Sequence, residues 1–376
     1  MGKRRVIVLC AGIPWHHNDL TMKHLAPLLA TRMPVVWVDP PSSVVSRRRA
    51  SAAEADNSSL EWVGANLFRM TSHCPPGMTR PGVRTVSAAS VRLGIRAALL
   101  RLNALPEIIV VQYLQDLFDA APRALKVFYG TDHFVAGSTL MGISPRFLER
   151  QERRQVAAAD RVIAVSPALV RRWAAMGADP VLIPGGCDFA HFARTDETDK
   201  SPGLTLEGPV AGLVGQLNAR IDLGLLERVA DSGLGLMIIG QKRASLDSGR
   251  FDRIAGRPNV QWLGPRDFDA LPGLFRWMDV GLTPYVSSEF NDASFPLKSL
   301  EYLAAGRPVV STDLPASRWL GEDAVDIASD ASEFVEKTLS RAHEVRTPEK
   351  VARRREVATR HSWERRAEDV AKVIGL

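Results

Sequence analysis

Short β-branched runs alternate with amphipathic stretches along nearly the whole of this chain, and that alternation limits it to a parallel α/β architecture. In the first half the runs predicted as strands are Val6–Cys10, Val35–Val38, Trp62–Arg69, Ile108–Val111, Lys126–Tyr129, Arg161–Val165 and Val181–Ile183. Helices are predicted between them at Leu20–Ala30, Thr85–Asn103, Pro145–Ala159 and Pro167–Met176. Ser166-Pro167 offers an N-cap followed by a proline in the first turn. From Phe189 to Pro209 the alternation stops, and residues 195–203 are polar apart from one proline and one glycine. That stretch reads as a linker. A second series follows, with strands predicted at Val210–Val214, Leu236–Ile239, Val260–Leu263, Val280–Pro284 and Pro308–Ser311. Its predicted helices are Asp222–Asp231, Phe268–Trp277, Leu297–Ala305, Ala331–Glu344 and Trp363–Ile374. A length of 376 residues suits two such bodies. The expected division is 1–190, a linker over 191–208, 209–360, and a last segment 361–376.

Composition narrows the function classes. Apolar residues make up 45% and charged residues 24%, as in a globular enzyme. The longest apolar runs, such as Val6–Ile13, are far shorter than the ~20 residues that span a bilayer. Lys3-Arg4-Arg5 leads into a run too short for a secretory signal, and Trp15-His16-His17 follows it. The 3 cysteines, Cys10, Cys74 and Cys187, have neither disulfide-scaffold nor zinc-ligand spacing. A cytoplasmic location is expected. Residues 1–190 carry 23 Lys+Arg against 14 Asp+Glu, while residues 191–376 carry 25 against 28. The basic half fits an anionic membrane face or a phosphorylated substrate, and arginine-rich composition is the alternative. Nucleic acid is not expected as a partner.

The segment richest in chemistry runs from Ser294 to Thr312, SFPLKSLEYLAAGRPVVST. Ser294 is placed as an N-cap and Pro296 in the first helical turn. Lys298 and Glu301, three apart, then share one helix face near its N-terminus. A lysine at a helix N-terminus favours a diphosphate, and a carboxylate one turn on accepts two ribose hydroxyls. Spacing alone leaves an ordinary i,i+3 ion pair equally open.

This segment resembles the donor-binding stretch of GT-B glycosyltransferases, the broad group related to family 4. The resemblance implies two Rossmann-like domains facing across a cleft, with a last helix crossing back to the first domain. It implies Lys298 at the donor pyrophosphate and Glu301 on the nucleotide ribose. The family's further glutamate, eight residues earlier, is replaced by Ala293, with Asn291 and Asp292 beside it. Residues 210–226 resemble the opening of the donor domain, which places Gly215 and Arg220 at the donor phosphates. Gly240 and Tyr285 follow later strands of the same series and are placed near the donor. The segment 183–188 resembles the turn before the interdomain linker, and His361-Ser362-Trp363 resembles the start of the final helix. In the first half, 128–134 (FYGTDHF) resembles a segment of exopolysaccharide and teichuronic-acid type transferases. Asp132 becomes the candidate base and His133 its candidate assistant. Trp15 and His16 are placed on the acceptor side.

The resemblance implies transfer of a sugar from a nucleoside-diphosphate-sugar donor to a hydroxyl acceptor. No cofactor is expected, and no metal, because Lys298 and backbone amides can neutralise the leaving diphosphate. Asp267-Phe268-Asp269 is expected to cap a helix. A nucleotide-sugar epimerase and a nucleotide-sugar binder without transferase activity are the alternatives. Finally, the helix predicted at Thr85–Asn103 gathers Val91, Ile95, Ala98, Leu99 and Leu102 on one face. Arg92 and Arg96 border it on one side and Arg101 on the other, and Leu93 and Leu100 fall off it. With Arg47-Arg48-Arg49, Arg80 and Arg84, that face would rest on anionic lipid at the inner membrane face; otherwise it docks on the sheet.

Overall fold

The computed structural model describes residues 2–16, 21–43, 60–77, 80–321 and 324–376. His17 and Arg47-Arg48-Arg49 lie outside the described residues. The chain divides into two units: Met1–Pro184 with Arg366–Leu376, and Gly185–Arg365.

The first unit holds β1 (Arg4–Cys10), β2 (Val35–Val38), β3 (Ser42–Ser43), β4 (Leu60–Gly64), β5 (Leu67–Met70), β6 (His73–Cys74), β7 (Ala104–Val111), β8 (Leu125–Gly130), β9 (Arg161–Ala164) and β10 (Pro180–Leu182). One sheet of eight strands has the order β10-β9-β8-β7-β1-β2-β5-β4. It is parallel throughout except for β4, which runs antiparallel to β5 at the edge. Its central strands are apolar along their length because helices cover both faces, and Ile7, Val8, Leu9 and Val35–Val38 are fully buried. The order reverses between β1 and β7, so ligands belong beyond the carboxyl ends of those two strands.

The second unit holds β11 (Val210–Val214), β12 (Gly235–Ile239), β13 (Val260–Trp262), β14 (Val280–Thr283), β15 (Val309–Thr312) and β16 (Asp326–Ala328). All six are parallel, in the order β13-β12-β11-β14-β15-β16, with the reversal between β11 and β14. Each unit is thus a Rossmann-like α/β layer structure. The last helix, Trp363–Ile374, begins in the second unit, and its residues from Arg366 onward belong to the first.

Several sequence expectations need correction. The single strand expected over Trp62–Arg69 is a hairpin, β4 and β5, because Asn66 turns the chain at φ 56°. The helix expected from Thr85 begins earlier, at Pro81, and ends at Arg101. At Gly94 an added Cβ would lie 2.7 Å from Met70 Cε, so glycine lets the helix close on β5. The apolar face Val91, Ile95, Ala98 and Leu99 is buried within the unit, so that face cannot rest on lipid. Arg92 lies 3.5 Å from both Asp116 and Asp119, and Arg96 donates to the Asp119 carbonyl.

Residues 191–208, expected as a linker, lie inside the second unit. They continue a short helix, Phe189–Ala193, in which Phe192 is fully buried against Phe275. Ser294 does not cap the donor-segment helix, Leu297–Ala304; Pro296 occupies the N-cap position. Ser294 instead ends the preceding helix, Glu289–Ala293, and its Oγ donates to Phe290 O. Asp267 precedes a 3-10 turn, Phe268–Ala270, but its side chain accepts no capping bond. Ser166 does cap Pro167–Ala174, accepting from Leu169 N–H.

Candidate functional site

The second unit builds its site at the reversal point from two glycine turns, one loop and one helix. Gly215 follows β11 at φ 152° and Gly240 follows β12 at φ 144°. A Cβ on Gly240 would stand 1.7 Å from Gly215 O, so only glycine allows the two turns to touch. Around Gly215 itself an added Cβ would meet nothing within 4 Å, leaving its backbone open for a close approach. Beneath lies Tyr302. A Cβ on Gly281 in β14 would be 2.3 Å from its ring, and Tyr302 Oη accepts from Val214 N–H at 2.9 Å. The helix that carries Lys298 and Glu301 is thereby locked to the end of β11.

Lys298 Nζ donates to both oxygens of Glu301, at 2.9 and 2.7 Å. Their side chains are only 12% and 5% exposed, so this is not a solvated surface pair. Gly185 lies against this helix start: a Cβ there would be 2.2 Å from Leu297 Cδ2.

Arg220 arrives from the loop after β11. Asn291, 1% exposed, accepts from Arg220 Nε at 2.5 Å, and its amide donates to Arg220 O and Val286 O. The guanidinium stands 5.3 Å from the Tyr285 ring centroid and 4.9 Å from that of Phe290. Burial pushes the Tyr285 phenol up, while Arg220 and Lys298 pull it down and Glu301 adds to the rise. Arg220 and Tyr285 thus pack together, and the charges of Lys298 and Glu301 also act on the Tyr285 phenol. Ser294 is 7% exposed, and its hydroxyl is occupied by Phe290 O. Asn291 and Phe290 had no sequence-derived role; the only signal was the position of Asn291 in the loop after β14.

The first unit has a separate cavity of 590 Å³ at its own reversal point. Loops after β1, β7 and β8 line it, contributing Gly12 and Ile13, Gln112 to Asp116, and Thr131, Asp132 and Phe134. Asp132 Oδ2 accepts from Thr131 Oγ1 at 2.9 Å. His133 Nδ1 accepts from Ala136 N–H at 3.1 Å, so this nitrogen closes a local turn, and His133 is not among the lining residues. Trp15 and His16 are not lining residues either. Trp15 N–H donates to Asp39, and its ring packs edge-on against Trp37 at 5.1 Å. His16, itself exposed, has Nε2 2.7 Å from Nη1 of buried Arg69, which also binds Asp39 and Glu61. Among the described residues no three His, Cys, Asp or Glu side chains converge as a metal-ligand set. Among them also, no helix is long and apolar enough to cross a membrane.

Residues 210–343 match the family glycosyl transferases group 1. The match lies wholly within the second unit. The chain is 32% identical over 138 residues to a Bacillus subtilis (strain 168) protein named as the teichuronic acid biosynthesis glycosyltransferase TuaH, covering 36% of this chain and 34% of that one. It is 33% identical over 166 residues to a phosphatidyl-myo-inositol mannosyltransferase of Mycobacterium tuberculosis, covering 42% and 41%. The chain thus spans well under half the length of these relatives. Among solved structures, sucrose-phosphate synthase from Thermosynechococcus elongatus superposes with TM-score 0.76 at 16% identity, over 98% of each chain. Anabaena HepE in complex with UDP and glucose gives 0.68 at 14% identity, over 99% of each. This chain therefore has the GT-B fold.

Proposed function

We propose that this protein transfers a sugar from a nucleoside-diphosphate-sugar donor to a hydroxyl acceptor. The observation that carries the reading is the recessed Lys298–Glu301 pair with Arg220 beside it, at the carboxyl end of a Rossmann-like sheet. Lys298 donates to both oxygens of Glu301 and brings a cation to the place where a phosphate oxygen would lie. Arg220 adds a second cation, and the open backbone at Gly215 lets phosphate approach. Glu301 accepts from the ribose hydroxyls. As the bond from anomeric carbon to diphosphate breaks, its electron pair leaves with the diphosphate, where Lys298 and Arg220 stabilise the charge. Asp132 takes the proton of the acceptor hydroxyl as the new carbon–oxygen bond forms. A family match over 210–343 and transferase relatives support this reading.

A thermal-shift panel of nucleoside diphosphates and nucleotide sugars tests it. A ligand at 100 times Kd adds about 2.7 kcal/mol to stability. Glu301→Gln is expected to raise donor KM with the fold intact; early melting with unchanged KM would make Glu301 structural. Incubation with donor alone separates transfer from epimerisation, since only an epimerase converts the sugar without an acceptor.

The same helix, Pro81–Arg101, supports peripheral contact with anionic lipid through the side opposite the expected one. Val86, Leu93 and Leu100 recur every seven residues and are 54%, 64% and 80% exposed, with Arg96 and Arg101 on the same exposed side. Co-sedimentation with anionic vesicles is expected at low salt and lost at high salt, because each arginine near the surface contributes only about 1 kcal/mol. Binding unchanged in Leu93→Asp/Leu100→Asp would contradict it.

A further inference from the structure

The cavity beside Asp132 has a character that transfer to a hydroxyl does not itself demand. Its walls are predominantly apolar, with Ile13, Phe134, Ile143, Phe147 and Leu148 among them. The Arg84 guanidinium lies 4.2 Å over the Phe147 ring and covers one of its faces. Set into this lining are two residues with unmet polar atoms. Tyr113 Oη and Gln115 Oε1 are both buried and have no hydrogen-bond partner. Buried polar atoms are normally paired, and two orphans on residues of one cavity are where a ligand would supply partners. The volume, 590 Å³, sits within the range of about 300–1,000 Å³ that holds a drug-sized molecule.

We infer that this cavity takes an acceptor with an apolar ring-built body and at least one hydroxyl, an amphiphilic aglycone rather than the tip of a polar glycan. This deepens the transferase reading and rests on it for the role of Asp132. A glycan tip carries hydroxyls on every side, and those turned toward Ile13, Phe134, Ile143, Phe147 and Leu148 would lose their water uncompensated, while the polar lining residues such as Gln151 and Arg154 meet only the rest. An apolar body gains by leaving water there. One hydroxyl of the aglycone meets Asp132, and Gln115 and Tyr113, whose Oε1 and Oη are closed off without partners, turn to reach its remaining polar atoms.

Calorimetric titration of the full chain without donor tests this, using 2-naphthol as the apolar hydroxylated probe and methyl α-glucoside as the polar one. Naphthol is expected to bind at least about tenfold more tightly than the glucoside. Ile143→Glu, at a half-exposed wall position, places a carboxylate in the apolar lining. It is expected to weaken naphthol at least about tenfold. Tyr113→Phe is expected to weaken it about threefold without lowering the melting temperature, since the lost hydroxyl had no protein partner. Equal binding of both probes, or wild-type naphthol affinity in Ile143→Glu, would overturn the inference. Binding of nucleoside diphosphates is read separately on the same samples. If it fails while naphthol binds, the transferase reading falls and the apolar cavity stands; if it holds while naphthol fails, the reverse.

Discussion

The site in the second unit and the cavity in the first are made in different ways. The former is charged and anchored by paired groups. Lys298 is bonded to Glu301, and Arg220 is held by Asn291. The latter is mostly apolar, collects residues from loops after four strands and from three helices, and leaves Tyr113 Oη and Gln115 Oε1 unpaired. The contrast follows from what each would hold. A diphosphate has fixed geometry and charge, and one helix with one arginine loop meets it. An apolar body asks for shape, which only walls from distant segments provide.

The comparison breaks most visibly at Asp132. If the first unit's cavity supplies the base, Asp132→Asn lowers kcat by about 10²–10⁴ and leaves donor affinity intact. Full activity would mean that the leaving phosphate takes the proton and that the cavity only positions the acceptor. Next comes the rigidity of the second unit's site. Gly281→Ala puts a methyl 2.3 Å from the Tyr302 ring, and overpacking of that kind costs about 1–3 kcal/mol in a denaturant melt. An unchanged midpoint would show that Tyr302 moves freely and does not lock the helix to β11. Asn291→Ala removes the anchor of Arg220 and is expected to raise donor KM with an effect of about 1 kcal/mol. Loss of kcat alone would instead place Asn291 on the reacting sugar. Smallest is Arg92→Ala. Its two contacts at 3.5 Å reach exposed carboxylates, so its melting midpoint should move by less than about 1 kcal/mol. A larger effect would make the rim of the cavity structural.

The two regions also differed in how far the sequence revealed them. Parallel strands and their alternation with helices were legible because buried strands are apolar along their length. Lys298 and Glu301 stood out through the resemblance of their segment to a donor-binding stretch, since their spacing alone left an ordinary ion pair open. Arg220 stood out through the same resemblance, yet its partner Asn291 lies 71 residues away, and no local pattern joins the two. The hairpin was hidden because Asn66 in a left-handed conformation leaves no strong mark in a β-rich run. Gly185 read as part of a plain turn, and its reason, Leu297, is tertiary. Residues 191–208 read as a linker from polarity, but Phe192 and Thr195 are fully buried in the second unit. The amphipathic helix was correctly periodic, but the periodicity did not say whether its apolar face meets lipid or its own sheet.

The central claim is that Lys298 holds the diphosphate of a nucleotide donor. Titration of the tightest-binding nucleoside diphosphate, and of its parent nucleoside, into wild type and Lys298→Ala tests it most directly. Loss of a charge-assisted bond should weaken the diphosphate by about 1.5–3 kcal/mol and leave the nucleoside nearly unchanged. Equal losses for both ligands, or none for either, would contradict the account.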